Sequence, residues 1–179
     1  ENVRVFPCGR PEEHVHQREA IPLARIIGAS RGQGRVVSPS EFDADPSGLF
    51  TIGIAHGLDD AELMKSRNLS YWALGGSHAR QSFFTGPRTA HCPGSPQGRD
   101  PGECGPHGCT LVMVDSQGHV RLTPVATDSL RWHRERLRVD PTTTRDDLET
   151  QLAERVRVIR ETEPGLDLFE HHPAHVALP

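Results

Sequence analysis

The chain has 179 residues, 35% of them hydrophobic and only 5% aromatic, with 17 glycines, 15 prolines and a formal net charge of -4. That length suits one domain with its own core, and the glycine and proline content predicts a folded but loop-rich chain. The charge excludes a protein that is basic all over, so a nucleic-acid partner would have to be held by a local patch. The sequence has no run of about 18 apolar residues to cross a bilayer, and the opening ENVRVFPCGR has no leader-like segment. A soluble, cytoplasmic protein without a membrane partner is therefore expected. Because the chain begins inside a strand pattern and without an initiator methionine, it reads as the middle of a protein, with a segment expected upstream. Four cysteines, at 8, 92, 104 and 109, are too few and too unevenly spaced for a disulfide scaffold and are expected as free thiols.

In chain order, residues 3–6 (VRVF) and 21–28 (IPLARIIG) read as strands, with a polar loop carrying Glu12, Glu13, His14 and His16 between them. Residues 29–48 read as a connection, rich in Gly, Ser, Pro and Asp. FTIGIA (50–55) reads as a strand buried on both faces that delivers His56 and Gly57 at its end. DDAELMKSRN (59–68) reads as a short helix capped by Asp59 or Asp60, with Leu63 and Met64 facing inward. It leads into YWAL (71–74), giving a strand, helix, strand unit whose strands should lie parallel.

That second strand ends in Gly75-Gly76-Ser77-His78, followed by Arg80 and Gln81. Open α/β sheets present reactive side chains at the carboxyl edge in this manner, so His56 and His78 are expected at one edge of one sheet. Beyond Gln81 the texture changes to short strands at 81–84, 89–92, 108–114 and 119–125, with Ser116-Gln117-Gly118 as a hairpin turn, and a further strand at 130–139. Thr142–Glu161 reads as a helix capped by Thr144, with Leu148, Leu152, Val156 and Ile159 as its apolar stripe, stopped by Pro164-Gly165.

The segments IGIAHG (52–57), YWALG (71–75), PGSPQGR (93–99) and GCTLVMVDSQG (108–118), in this order, give the chain a resemblance to the second half of a calcineurin-like metallophosphoesterase. The likeness is greatest to the DNA-repair exonuclease branch that includes the double-strand-break repair nucleases. The resemblance covers most of residues 3–139. It implies an α/β fold, a partial αββα sandwich in which the parallel unit is followed by an antiparallel meander and a C-terminal helix. It also implies a domain boundary, with 1–140 as the phosphoesterase half and 141–179 as the helix and tail of an appended segment. The family ends the corresponding strand in Gly-His-x-His, so His78 matches the second histidine and Gly76 stands where the first would be. His56 and His78 are thereby implied as ligands of a divalent metal, manganese above all, in a family whose sites hold two ions. Arg80 and Arg99 are implied as phosphate contacts.

The family's aspartate, asparagine and catalytic-histidine motifs lie upstream of the matched region and have no counterpart here. The resemblance thus implies metal-dependent phosphodiester hydrolysis, with DNA as substrate, but an incomplete site. An upstream segment or a second chain would have to complete it. The alternative is a catalytically degenerate module that binds or builds. Three other groupings could bind ligands: a Cys/His zinc site from His91, Cys92, Cys104, His107 and Cys109; chelation by His14 with His16 or His171 with His172; and a backbone-binding face from the arginines of 131–138. Surface histidines and a solvated strand face are the commoner explanations of the last two.

Overall fold

A computed structural model describes residues 3–32, 37–43 and 48–163. The chain divides into two compact units, Glu1–Pro96 with Pro106–Thr127, and Gln97–Gly105 with Asp128–Pro179. The architecture is mixed α/β, as the sequence predicts.

The first unit holds a six-stranded sheet. Its strands are β1 (Glu12–Arg18), β2 (Ile21–Gly28), β3 (Phe50–His56), β4 (Tyr71–Gly75), β5 (Gln81–Phe84) and β6 (Thr89–Cys92), in the order β1-β2-β3-β4-β6-β5. The four central strands run parallel, and β1 and β5 close the two edges antiparallel. A 3-10 turn, Pro39–Glu41, with a complete capping box at Ser38, lies between β2 and β3. Helix α1 (Ala61–Ser66), capped by the Asp60 carboxylate on Leu63 N at 2.9 Å, joins β3 to β4.

Alternation along the strands sorts their side chains onto two faces. Gly53, Ala55, Trp72, Leu74, Ala90 and Cys92 occupy the covered face and belong to the core or press on it. Trp72, Phe42, Met64 and Leu69 are each 0% exposed, and the Phe42 and Trp72 rings stand 4.9 Å apart at 58°. A Cβ on Gly53 would fall 2.5 Å from Leu69 Cδ2 and 2.8 Å from Trp72 Cε3, so only glycine lets the indole lie flat across β3. The opposite face is less covered, and Ile54 remains 39% exposed. The expectation that β3 is buried on both faces therefore fails on one of them.

Three strand assignments change. Residues 3–6 form no strand; beyond them, Cys8 makes a single bridge to Ser30, with Pro7 and Gly9 interrupting any ladder. The polar stretch read as a loop is instead β1, an exposed edge strand. Its turn into β2 places Glu19 and Ala20 at φ of 51° and 64°, the left-handed pair of a type I′ hairpin without the usual Asn-Gly. Residues 130–139 form no strand apart from the bridge between Trp132 and Cys104. There, side chains take up the backbone groups: Gln97 Nε2 donates to Leu130 O at 2.6 Å, and Ser129 N donates to Gln97 Oε1 at 2.9 Å. Asp128 grips Arg131 through both oxygens, at 2.7 and 2.9 Å.

Also in the first unit, β7 (Gly108–Val114) and β8 (Val120–Ala126) make the predicted hairpin. Asp115 Oδ1 accepts from Gln117 N and His119 N across its turn, which with the His119 side chain holds the Asp115 carboxyl below its usual range. In the second unit, α2 (Arg145–Thr162) starts at Thr144 in a capping box with Asp147, and its stripe of Leu148, Leu152, Val156 and Ile159 is half-buried. The predicted Pro164-Gly165 stop lies outside the described residues. Among the described residues, no helix is long and apolar enough to cross a membrane.

His91 ties β6 to its neighbours. Only 3% exposed, its Nδ1 stands 2.9 Å from Ser82 Oγ on β5 and its Nε2 2.8 Å from Thr110 Oγ1 on β7. Burial, and then the nearby Arg80 cation, lowers its pKa. The folded state thus resists a proton that the unfolded imidazole takes near its ordinary value of 6.5, so stability falls as pH drops below that value. The slope of unfolding free energy between about pH 6.5 and 5 should be shallower in His91→Gln than in the wild type. Equal slopes in denaturant titrations at several pH values would contradict the account.

Candidate functional site at the carboxyl edge of the parallel strands

The register of β3 on β4 sets the site. Ile52 pairs with Tyr71 and His56 with Gly75, so both strands finish at one level. The turn beyond is bonded across, with Gly57 N donating to Gly75 O at 2.8 Å. His56 is the last residue of β3, and His78 lies three residues past the end of the adjacent parallel strand β4; both are exposed.

The chain around His78 is fastened on both sides. His78 O accepts from Ser95 N at 3.0 Å and Ser95 Oγ at 3.4 Å, and Ser77 Oγ accepts from Ala79 N at 3.2 Å. Cys92 Sγ donates to Ser77 O at 3.7 Å, closing the turn against β6. Ser95 in turn bonds the buried His107 ring, Oγ to Nδ1, at 2.9 Å. The loop 93–95 after β6 therefore braces the histidine turn after β4.

Gly76 has a specific place in this turn. Its φ is +104°, and a Cβ there would lie 2.9 Å from Gly57 N, 3.1 Å from Gly57 Cα and 3.3 Å from His56 Cε1. No side chain fits without moving the neighbouring backbone. The position is closed to a ligand as well as lacking one.

Below the edge, the open face of the sheet forms a cleft of about 640 Å³, lined among others by Ile54, His56, Tyr71, Ala73, His91 and Thr110. Tyr71 is buried, and desolvation followed by its proximity to Cys92 pushes its phenol up to about 12. It stays un-ionised at physiological pH and so keeps its hydroxyl proton. A smaller pit of about 60 Å³ shares Arg31 and His56 with the cleft and adds Val37, Gly57 and Leu58.

The two arginines expected as phosphate contacts belong to different units. Arg80 is half-buried in the first unit, near enough to His91 to depress its pKa, and its Nε is sealed from solvent with no hydrogen-bond partner among the described residues. Arg99 belongs to the second unit, where Glu103 engages it at 3.2 Å. Arg31, absent from the sequence-derived candidates, stands at the histidine edge; the only sequence signal was its position three residues past a strand end.

Among the described residues, no three His, Cys, Asp or Glu side chains are grouped to hold a metal ion. This disposes of the Cys/His zinc grouping: His91 is committed to two hydroxyls, His107 to Ser95, and all four thiols are free. His14 lies on β1 with its Nδ1 3.2 Å from Arg4, and His171 and His172 lie outside the described residues. The edge carries two histidines, and the position where the resemblance would place a further ligand is sealed at Gly76.

Gly76→His should consequently fail to restore a ligand. It should destabilise the chain by roughly 1–3 kcal/mol without tightening manganese binding in calorimetry. Tighter binding at unchanged stability would contradict the geometry.

No family model matches the chain, and no solved structure matches it. A curated protein of Bacillus subtilis (strain 168), the uncharacterized metallophosphoesterase YhaO, is 32% identical to it over 130 residues, which is 64% of this chain and 31% of that protein. The chain thus spans about a third of the length of the curated relative it matches. This distant similarity supports kinship with the metallophosphoesterase superfamily.

Proposed function

We propose that the chain carries the histidine-bearing part of a divalent-metal phosphoesterase site, and that His56 and His78 bind the metal through imidazole nitrogens. The single observation behind this reading is the parallel register that aligns His56 with Gly75, three residues before His78. A distant similarity to a metallophosphoesterase supports the superfamily part of this reading. Phosphodiester hydrolysis, DNA as substrate, a repair exonuclease role and manganese are the finer parts of the proposal and rest on the resemblance of the motifs.

Two nitrogens alone make a weak site. Carboxylate ligands would therefore come from a preceding segment or a second chain, with residues 1–140 as one half of the catalytic domain. The open sheet face favours this arrangement. Ile54 and Ala73 line a cleft with Thr110 and Val112, an apolar surface of the kind a second layer covers in a sandwich.

A bound divalent ion would supply Lewis-acid polarisation of a phosphoryl oxygen and a more acidic water. The chain's own residues would do the rest. His56 and His78 would fix the ion at the edge, Arg80 would neutralise phosphate charge, and Tyr71 would offer a hydroxyl donor from the cleft. The braced turn 76–80 would keep His78 from drifting.

A second reading, a degenerate module that binds without hydrolysing, is favoured by the sealed position at Gly76 and the lack of a three-ligand group among the described residues. Hydrolysis of a phosphodiester in manganese separates the two. The chain alone should be nearly inactive. Together with a segment or second chain that supplies the carboxylate motifs, it should gain activity that His56→Ala or His78→Ala reduces by at least about a hundredfold. Absence of activity with every divalent metal, or activity indifferent to both substitutions, would favour the binding module.

A further inference from the structure

We propose that Arg31 and the pit beneath it form an anion subsite at the carboxyl edge, and that its ligand is the phosphoryl group of a phosphodiester. The inference rests on the phosphoester reading for the identity of the anion, while the subsite itself needs no metal.

The root of Arg31 is fixed. Past the end of β2, Ala29 N donates to Ile54 O at 3.2 Å, extending the pairing with β3. Ser30 N donates to Pro7 O at 2.9 Å, Ser30 Oγ donates to Phe6 O at 2.6 Å, and Gly9 N donates to Ser30 O at 3.3 Å. Cys8 Sγ makes a long contact with Arg31 O at 3.9 Å. The irregular residues 6–9 thus serve as a brace for the residues that present Arg31.

From that root the guanidinium reaches over the histidine turn. Its Nη1 lies 3.8 Å from the place a Cβ on Gly57 would take, and Arg31 and His56 line both cavities. Arg31 is exposed, and among the described residues no carboxylate pairs with it, whereas Arg4, Arg25 and Arg67 each have an acidic partner. A cation held by its backbone and left uncommitted at its tip is available to an anion.

The pit fits a small one. Its volume of about 60 Å³ is several times the ~10–15 Å³ that a single water needs, room for the oxygens of one phosphoryl group. Ala29, Val37, Ala55 and Leu58, all buried, form its apolar wall. Such a wall weakens solvent screening around the rim, and the planar fork of arginine suits two oxygens of a tetrahedral oxyanion.

The test is an NMR titration of the whole chain in the presence of a chelator, with a thymidine dinucleotide phosphodiester as probe and inorganic phosphate in a parallel arm. The diester should shift the Arg31 Nε–H and Gly57 amide resonances saturably. Arg31→Ala should weaken binding by about tenfold, and Arg31→Lys by less. Binding of inorganic phosphate alone, no saturable shift with either probe, or equal affinity in Arg31→Ala would overturn the subsite. Because the chelator removes metal, this outcome is independent of whether manganese binds His56 and His78, which a separate manganese titration reads.

Discussion

The pairing of β3 with β4 is the constraint from which the rest of the first unit follows. Five residue pairs, from Ile52 with Tyr71 to His56 with Gly75, fix where both strands stop and which residues emerge together. Gly53 makes the pairing possible, because its missing side chain admits the Trp72 ring and Leu69 against β3. Trp72 is the largest side chain with no exposure, and truncating such a residue costs roughly 3–5 kcal/mol, a large share of the ~5–15 kcal/mol that holds a domain together. Stability and the position of the histidines thus depend on the same contact.

One sheet carries two different faces. The covered face is an ordinary core, while the other has Ile54 half open and a cleft bordered by β7. Polar groups on the open side are tied in pairs rather than left loose, with His91 between Ser82 and Thr110 and His107 against Ser95. These bonds hold the loops that present His78, so they position the site without touching a ligand. Braced turns, two exposed histidines and an uncommitted arginine along one edge make that edge the chemically interesting part of the molecule.

Much of this was legible in the sequence. FTIGIA and YWAL are β-rich apolar runs flanked by a capped helix, and their parallel pairing follows from the crossover between them. The helix at 145–162 was marked by Thr144, Asp147 and a stripe at helical spacing. What failed did so for local reasons. β1 is polar because it is an edge strand, and its Glu19-Ala20 turn carries no glycine or asparagine to announce it. Residues 130–139 have an alternating look, but at their start Gln97, more than thirty positions away, takes the Leu130 carbonyl and the Ser129 amide, and Asp128 takes the Arg131 side chain.

At the site, the two histidines could be placed from the sequence, but Arg31 could not, because its position depends on how residues 6–9 fold back onto Ser30. Nor could the meaning of Gly76, which reads as a lost ligand in the sequence and as a sealed backbone contact in three dimensions. The central claim is that His56 and His78 share one ion at the carboxyl edge. Anomalous diffraction from a crystal soaked in manganese tests it most directly. A peak within coordination distance of both imidazoles is the predicted result. Full occupancy elsewhere, with both rings bare, would contradict the account.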